Sequence, residues 1–178
     1  MKLEMKHWIV ISIVVLLAAC VGQNRNADGI AAAAQSSDSV MQAHGYEVLP
    51  LLKTRTGHVT ATLRVNGKLC LFLIDTGGGA TLIDISKKDK YQLDVLAATN
   101  YAAGIGSASL LVRTSAVIGI KDATCKDDSL YLMDIDYLNA EFRKQHSRPV
   151  DGVMGTDFLE KHHAVINYPH ARLYLKAK

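Results

Sequence analysis

The most informative part of the chain lies between residues 71 and 83, which read Leu71-Phe72-Leu73-Ile74-Asp75-Thr76-Gly77-Gly78-Gly79-Ala80-Thr81-Leu82-Ile83. An apolar run ends on one carboxylate, a threonine and three glycines follow, and the chain then becomes apolar again. This pattern predicts a buried strand that delivers Asp75 to a tight loop, from which a second strand leaves. Glycine permits a positive φ and the close approach of another segment. A carboxylate is costly at the end of such a strand, so Asp75 is the first candidate for chemistry.

The Asp-Thr-Gly triplet alone is more typical of a hairpin whose aspartate caps the turn. A second segment supports chemistry, because an apolar pair runs into glycine and a short helix signal follows in Val150-Asp151-Gly152-Val153-Met154-Gly155-Thr156-Asp157-Phe158-Leu159. Together the two segments resemble the retropepsin-like (retroviral-type) aspartic proteases. Residues 152–175 are similar to the bacterial relatives of these enzymes in particular, and the resemblance covers residues 46–178.

The resemblance implies an all-β fold, a closed acid-protease-type β barrel with a flap hairpin and one or two short helices. It implies an aspartic endopeptidase with Asp75 as the catalytic residue and no cofactor. Because the chain holds one Asp-Thr-Gly and a dyad needs two carboxylates, Asp75 would meet its copy across the axis of a homodimer. Thr76 would brace the two loops, and Gly77 would lie against the backbone of a peptide or protein substrate.

The flap is expected about thirty residues after Asp75, where the chain is rich in small residues. Gly104, Ile105 and Gly106 are the candidates for its substrate-binding tip. The alternative is an ordinary flexible turn.

Two positions depart from the retroviral pattern. Gly79 stands where those enzymes have an acidic residue, and Thr156 stands where they have arginine. Both partners of the ion pair that supports the retroviral dimer are therefore missing here. This departure keeps a second function open, a non-catalytic envelope lipoprotein whose protease-like barrel binds a peptide or protein partner.

The N-terminus is predicted to be a targeting segment. Lys2 and Lys6 precede the apolar residues 8–19, which are too few for a comfortable membrane span. They end in Leu17-Ala18-Ala19-Cys20, which resembles a bacterial lipobox with Cys20 as the lipidated residue. The alternatives are a secretory signal or an uncleaved anchor. Because Val21 and not aspartate follows, we expect a lipid-anchored protein on the periplasmic side of the bacterial envelope, at the outer membrane.

Three segments follow from this interpretation: a signal peptide over 1–19, a flexible tether over 20–45 and the protease-like domain over 46–178. The tether is polar and lacks aromatic residues, so it cannot bury enough surface to offset its ordering entropy. A short helix through Ala31–Ala34 is the alternative.

Charge and composition exclude some classes of function. The formal net charge of +3 falls to +2 when two lysines and one glutamate leave with residues 1–19. With no long basic run, nothing indicates a nucleic-acid partner. The pair His162-His163 has no carboxylate or cysteine at a metal-ligand spacing, so no metal is expected and a solvated helix end is favoured. Cys70 and Cys125 can form a disulfide in an oxidising compartment or remain isolated thiols.

Strands are expected over residues 46–52, 58–65, 68–74, 81–85, 109–120 and 123–133, with a weaker one between 91 and 103. Asn66-Gly67 predicts a two-residue hairpin, and charged turns are expected at Ser86–Lys90 and Lys126–Asp128. Helices are expected at Tyr137–His146 and Asp157–His163. A terminal hairpin over residues 164–168 and 172–176 completes the set.

Overall fold

The computed structural model describes residues 29–31, 33–35, 37–100 and 110–176. The chain divides into two units, Met1–Val40 and Met41–Lys178. The described residues between 29 and 43 are helical and form α1, so the described part of the expected tether is mostly a helix. None of the helices in the described ranges is long and apolar enough to cross a membrane. The expected signal peptide and Cys20 lie outside the described residues.

The second unit consists mainly of short strands. They are β1 (Tyr46–Pro50), β2 (Leu52–Lys53), β3 (Val59–Val65), β4 (Lys68–Ile74), β5 (Leu82–Asp84), β6 (Ala97–Asn100), β7 (Leu110–Ile120), β8 (Ala123–Met133), β9 (Gly152–Met154), β10 (Val165–Asn167) and β11 (Arg172–Lys176). The helices are α2 (Lys88–Tyr91), α3 (Asp136–Lys144) and α4 (Thr156–Lys161), with a 3-10 turn at Ile85–Lys87.

Six strands close into a barrel in the order β3-β4-β9-β5-β8-β7 and back to β3. The ring closes where Arg64 and Val65 pair with Gly119 and Ile118. The β4–β9 and β5–β8 pairs are parallel, and the other neighbours in the ring are antiparallel. The predicted all-β closed barrel is thus confirmed. The parallel β4–β9 pair places the loop after β4 beside the segment after β9.

The hairpin that leads to Asp75 forms as predicted. Val65 pairs with Lys68 across a two-residue turn in which Asn66 and Gly67 have φ values of 46° and 80°. Positive φ at both central residues is the signature of the tight hairpin turn that matches strand twist. The apolar face of β3 (Val59, Ala61, Leu63, Val65) is buried inside the barrel.

Two apolar cores lie on opposite faces of β4. The larger core fills the barrel and takes Phe72 and Ile74 from this strand. The smaller core takes Leu71 and Leu73 and packs them against Phe142 of α3. Successive side chains of a strand point to opposite faces, so neighbouring residues of β4 enter different cores. As a result α3 covers the outer face of the strand that ends at Asp75.

A separate three-stranded sheet has the order β1-β11-β10. The terminal hairpin is confirmed, since β10 and β11 pair from Val165↔Tyr174 to Asn167↔Arg172. β1 lies at one edge with Pro50 as its last residue, which suits a residue that cannot donate to a ladder. The last described strand therefore pairs on both sides within its own chain.

Two segments that are expected to be charged turns form helical or strand structure instead. Residues 85–91 form the 3-10 turn and α2, where a charged turn was expected at Ser86–Lys90. β8 continues through Lys126–Asp128. Asp127 is only 1% exposed. Its carboxylate accepts the backbone N–H and the hydroxyl of Ser129, and its Oδ2 lies 3.3 Å from Lys161 Nζ. These partners allow a charged residue to stay in a strand. The helices expected over Tyr137–His146 and Asp157–His163 are confirmed as α3 and α4, each of which begins one residue earlier and ends two residues earlier.

Candidate active site

Asp75 follows directly on β4. Its backbone N–H donates to the carbonyl of Met154 at 3.0 Å, which extends the β4–β9 pairing by one residue. The side chain is half-buried, and its Oδ1 accepts the backbone N–H of Gly77 at 2.9 Å. Among the described residues, no ion pair engages this carboxylate. The loop therefore holds this carboxylate by its own backbone, with no neutralising cation among the described residues.

The glycines after Thr76 give the carboxylate room. A Cβ at Gly78 would lie 3.0 Å from Asp75 Oδ2, and one at Gly77 would lie 3.4 Å from Oδ1. None of Gly77, Gly78 and Gly79 has a positive φ. A side chain at Gly78 would therefore crowd the Asp75 carboxylate, whereas one at Gly77 would be in ordinary van der Waals contact with it.

The segment after β9 forms a second wall of the loop. Thr156 donates to the carbonyl of Gly78 from its backbone N–H at 2.7 Å and from its hydroxyl at 3.1 Å. Gly155 leaves no room for a side chain, since a Cβ there would lie 2.6 Å from the carbonyl carbon and oxygen of Ala80. Thr156 therefore anchors the loop by two hydrogen bonds to Gly78.

Thr81 and Asp157 form a clamp below the loop. The Thr81 hydroxyl donates to Asp157 Oδ1 at 2.6 Å and accepts the backbone N–H of Gly155 at 3.0 Å. The backbone N–H of Thr81 donates to Asp157 Oδ2 at 2.9 Å, and that of Phe158 donates to Oδ1 at 2.7 Å. These bonds join the end of the Asp75 loop to the start of α4.

Sequence reasoning missed this clamp, although both residues stand in the two segments that it singled out. The only signal was the presence of a hydroxyl and a carboxylate directly after the two glycine motifs. Of the predicted site residues, Asp75, Thr76 and Gly77 share the loop, and Thr76 and Gly77 are exposed.

The predicted flap tip, Gly104, Ile105 and Gly106, lies outside the described residues. β6 and β7, which precede and follow it, pair antiparallel up to Asn100↔Leu110. The chain segment that contains the predicted tip thus connects two paired antiparallel strands.

Neither of the other aspartates in the second motif is available as a partner for Asp75. Asp157 is held in the clamp. Asp151 accepts the backbone N–H of Leu71 at 3.1 Å and pairs with Lys90 at 3.1 Å. Burial alone would raise the pKa of Asp151, but the Leu71 N–H and the Lys90 ammonium outweigh it and hold this pKa below its usual value.

Comparisons with known proteins give the following findings. No protein-family model matches the chain. No curated protein sequence matches it. Among solved structures, it is similar to the retroviral protease-like domain of Ddi1 from Leishmania major, with a TM-score of 0.48 and 16% identity over 65% of this chain and 86% of that one. It is also similar to a retropepsin-like aspartic protease from Rickettsia conorii, with a TM-score of 0.48 and 18% identity over 75% of this chain and 91% of that one.

The histidine pair is not a solvated helix end as expected, because His162 is fully buried. Its Nδ1 lies 2.9 Å from the carbonyl of Lys176, its Nε2 lies 3.6 Å from Cys125 Sγ, and its ring stacks on Phe158. Only His163 is exposed. Within the described residues, no three histidine, cysteine or acidic side chains form a group that could hold a metal.

The two cysteines of the barrel are free thiols. Cys70 is completely buried on β4, and burial raises the pKa of its thiol to about 12. Burial also raises the pKa of the Cys125 thiol, with the Asp127 carboxylate adding to the effect. A raised pKa disfavours the thiolate, which is the reactive form. Neither thiol is therefore built as a nucleophile.

Proposed function

We propose that this chain is an aspartic endopeptidase whose active form is a homodimer, with Asp75 as its one catalytic carboxylate. The observation that carries the proposal is the Asp75 loop. A half-buried carboxylate lies there, its Oδ1 accepts the N–H of Gly77, and it forms no ion pair within the described residues. Asp151 and Asp157 are engaged in other hydrogen bonds, and the second carboxylate of the proposed dyad would be Asp75 of a second copy.

Two Asp75 carboxylates close together would share one proton, because like charges at short range cannot both ionise. The ionised group would take a proton from a water held between them, and the water oxygen would form a bond to the substrate carbonyl carbon. The protonated group would donate to the carbonyl oxygen. Breakdown of the tetrahedral intermediate breaks the C–N bond, and a proton passes to the leaving amine.

The surroundings of Asp75 support roles for its neighbours. Exposed Thr76 would hydrogen-bond across the two-fold axis, and exposed Gly77 would lie against the substrate backbone. The substrate would bind extended, as an added strand between this loop and a flap that carries Gly104, Ile105 and Gly106. The hydrogen bonds from Thr156 to Gly78 would replace the retroviral ion pair in bracing the loop.

The test is cleavage of a mixed peptide library by the purified full chain in a mild detergent, at several pH values between about 4 and 7. Mass spectrometry detects new peptide termini, and Asp75→Asn is the control. We expect cuts that the control does not make, and a solution mass of two chains. A strictly monomeric chain without cuts would favour the envelope lipoprotein that binds a peptide or protein partner. Cuts that persist in the control would place the chemistry elsewhere.

We propose further that Cys20 carries a lipid and anchors the protein to the periplasmic side of the outer membrane. The basis is the sequence Leu17-Ala18-Ala19-Cys20 with Val21 after it. Tethering would raise the local concentration and so favour a weak dimer. Metabolic labelling with a fatty-acid analogue tests the anchor in bacterial cells. Label that persists in Cys20→Ser would contradict it, and fractionation with the inner membrane would contradict the outer-membrane location.

A further inference from the structure

Residues 154–157 contact the Asp75 loop at three successive points. At the start of the loop, the backbone N–H of Asp75 donates to the Met154 carbonyl at 3.0 Å. In the middle, the Gly78 carbonyl accepts both the backbone N–H and the hydroxyl of Thr156. The third contact, at the end of the loop, is the clamp. Four consecutive residues of the second motif therefore hold the loop at its start, its middle and its end.

The middle contact lies directly beside the Asp75 carboxylate. The backbone N–H of Gly78 donates to the Asp75 carbonyl at 3.3 Å, and a Cβ on Gly78 would lie 3.0 Å from Asp75 Oδ2. The N–H of the neighbouring Gly77 donates to Oδ1 at 2.9 Å. A shift of Gly78 would therefore change the surroundings of both carboxylate oxygens. Thr156, which holds Gly78, is followed in the chain by Asp157.

The Asp157 carboxylate accepts three hydrogen bonds with two oxygens. Its Oδ1 accepts the Thr81 hydroxyl and the Phe158 N–H, and its Oδ2 accepts the Thr81 N–H. An ionised carboxylate only accepts, so it satisfies all three donors at once. Asparagine would not, because its amide NH₂ would face the N–H of either Thr81 or Phe158. The clamp therefore depends on the carboxylate and not only on a polar side chain of this size.

Thr81 is the fixed end of the clamp. Its side chain is 1% exposed, and its hydroxyl accepts the Gly155 N–H at 3.0 Å. Its carbonyl accepts the backbone N–H of Tyr131 on β8 at 3.1 Å, which ties Thr81 to a long strand of the barrel. Asp157 thus joins residues 154–157 to a point that the barrel itself holds.

We propose that Asp157 is a positioning residue for Asp75, because its carboxylate holds residues 154–157 against Thr81 and these residues keep Gly78 beside the Asp75 carboxylate. The proposal rests on the proposed peptidase function, in which two Asp75 carboxylates must lie close enough to share one proton. Misplacing a reacting group by about 1 Å can reduce a rate about 100-fold. We therefore expect loss of the Asp157 carboxylate to reduce kcat by about ten- to 100-fold.

The first experiment measures peptide cleavage by the full chain in detergent, at a protein concentration that saturates the dimer and a temperature at which circular dichroism shows every variant folded. Asp157→Asn is compared with Glu160→Gln, which neutralises an exposed carboxylate on the same helix. Asp157→Asn should lower kcat about ten- to 100-fold while KM changes by less than about threefold. The two limbs of its pH profile should move towards each other, because carboxylates that interact less titrate more alike. Glu160→Gln should keep both kcat and the pH profile.

Thr81→Val tests the same contact from the other side, and it keeps the proposal testable if Asp157→Asn does not fold. It should lower kcat and narrow the pH profile in the same way. Because both substitutions remove one contact, the double variant should lose little more than the worse single variant. A pH profile that stays unchanged in both single variants would overturn the proposal, since that result indicates a structural role alone. Losses of kcat that multiply in the double variant would overturn it as well.

Hydrogen exchange followed by mass spectrometry separates this proposal from the proposed catalysis. In Asp157→Asn, peptides that cover residues 75–81 should exchange at least about tenfold faster than in the wild type, while β7 and β8 keep their rates. This result would support the positioning role even if the wild type cleaves no peptide. Faster exchange confined to α4 would overturn it, because Asp157 would then hold only its own helix. Equal acceleration over the whole barrel would overturn it too.

Discussion

Replacing Thr81 with valine removes the centre of the clamp behind the Asp75 loop while keeping the shape of the side chain. The Thr81 side chain is 1% exposed. Its hydroxyl donates to the Asp157 carboxylate at 2.6 Å and accepts the N–H of Gly155 at 3.0 Å. Valine makes neither bond, and it leaves the buried Gly155 N–H without this acceptor.

The magnitude follows from these two bonds. A hydrogen bond to a charged group contributes about 1.5–3 kcal/mol, and a buried donor left unsatisfied costs about 1–3 kcal/mol. Both effects belong to one hydroxyl, so they do not simply add. We expect the free energy of unfolding to fall by about 3 kcal/mol. With an m-value of about 2 kcal/mol/M, the urea midpoint would fall by about 1.5 M.

The assay is urea unfolding of residues 41–178, which contain every described strand, followed by circular dichroism. Thr81→Ser is the matched control, because serine keeps the hydroxyl and loses only one methyl group. We expect the control to lose about 1 kcal/mol. A valine variant as stable as the serine variant would refute the role given to the clamp.

Three further predictions concern the same unit. Gly155→Ala should lower the free energy of unfolding by about 3 kcal/mol in the same urea assay, because a Cβ would lie 2.6 Å from backbone atoms of Ala80. The control is Gly79→Ala, whose Cβ meets nothing within 4 Å and which should change the free energy of unfolding by less than about 1 kcal/mol. Burial alone would raise the pKa of Asp127, but the Ser129 hydrogen bonds and the Lys161 ammonium hold it below the usual value. The stability that ionised Asp127 contributes should therefore be complete above about pH 5 and be lost as the pH falls below about 4. Asp127→Asn should thus lower the free energy of unfolding by about 2 kcal/mol at pH 7 and by much less at pH 3. A difference between the two proteins that does not depend on pH would contradict this. Cys70 should react with a thiol reagent at pH 8 only after unfolding, and rapid labelling of Cys70 in the native protein, read by mass spectrometry, would show that its burial is wrong.

The sequence was sufficient for the local features of the barrel. Alternation over residues 59–65 predicted the buried face of β3, and Asn66-Gly67 predicted the turn that fixes the register of β4. The apolar run into Asp75 predicted where the carboxylate emerges. Each of these signals depends on neighbours within a few residues, so no knowledge of the fold was needed.

The features that were missed depend on contacts between distant residues. The parallel pairing of β4 with β9 and the bonds from Thr81 to Asp157, 76 residues apart, leave no local pattern. The charged residues 126–128 favour a turn, because the ion pair of Asp127 with Lys161 is formed by residues 34 apart and leaves no local pattern. The sequence favours a solvated helix end at His162, but its partners Lys176 and Cys125 lie on β11 and β8, far from it in the chain.

The central claim is that one active site is built from Asp75 of two chains. Mixing wild-type chain with Asp75→Asn chain, after complete subunit exchange, tests it most directly. With the wild-type amount held constant, one and three equivalents of the variant should reduce peptidase activity to about one half and one quarter, because random pairing traps wild-type chains in dimers with a single carboxylate. Activity that does not change as the variant is added would contradict the account, since each chain would then carry a complete site.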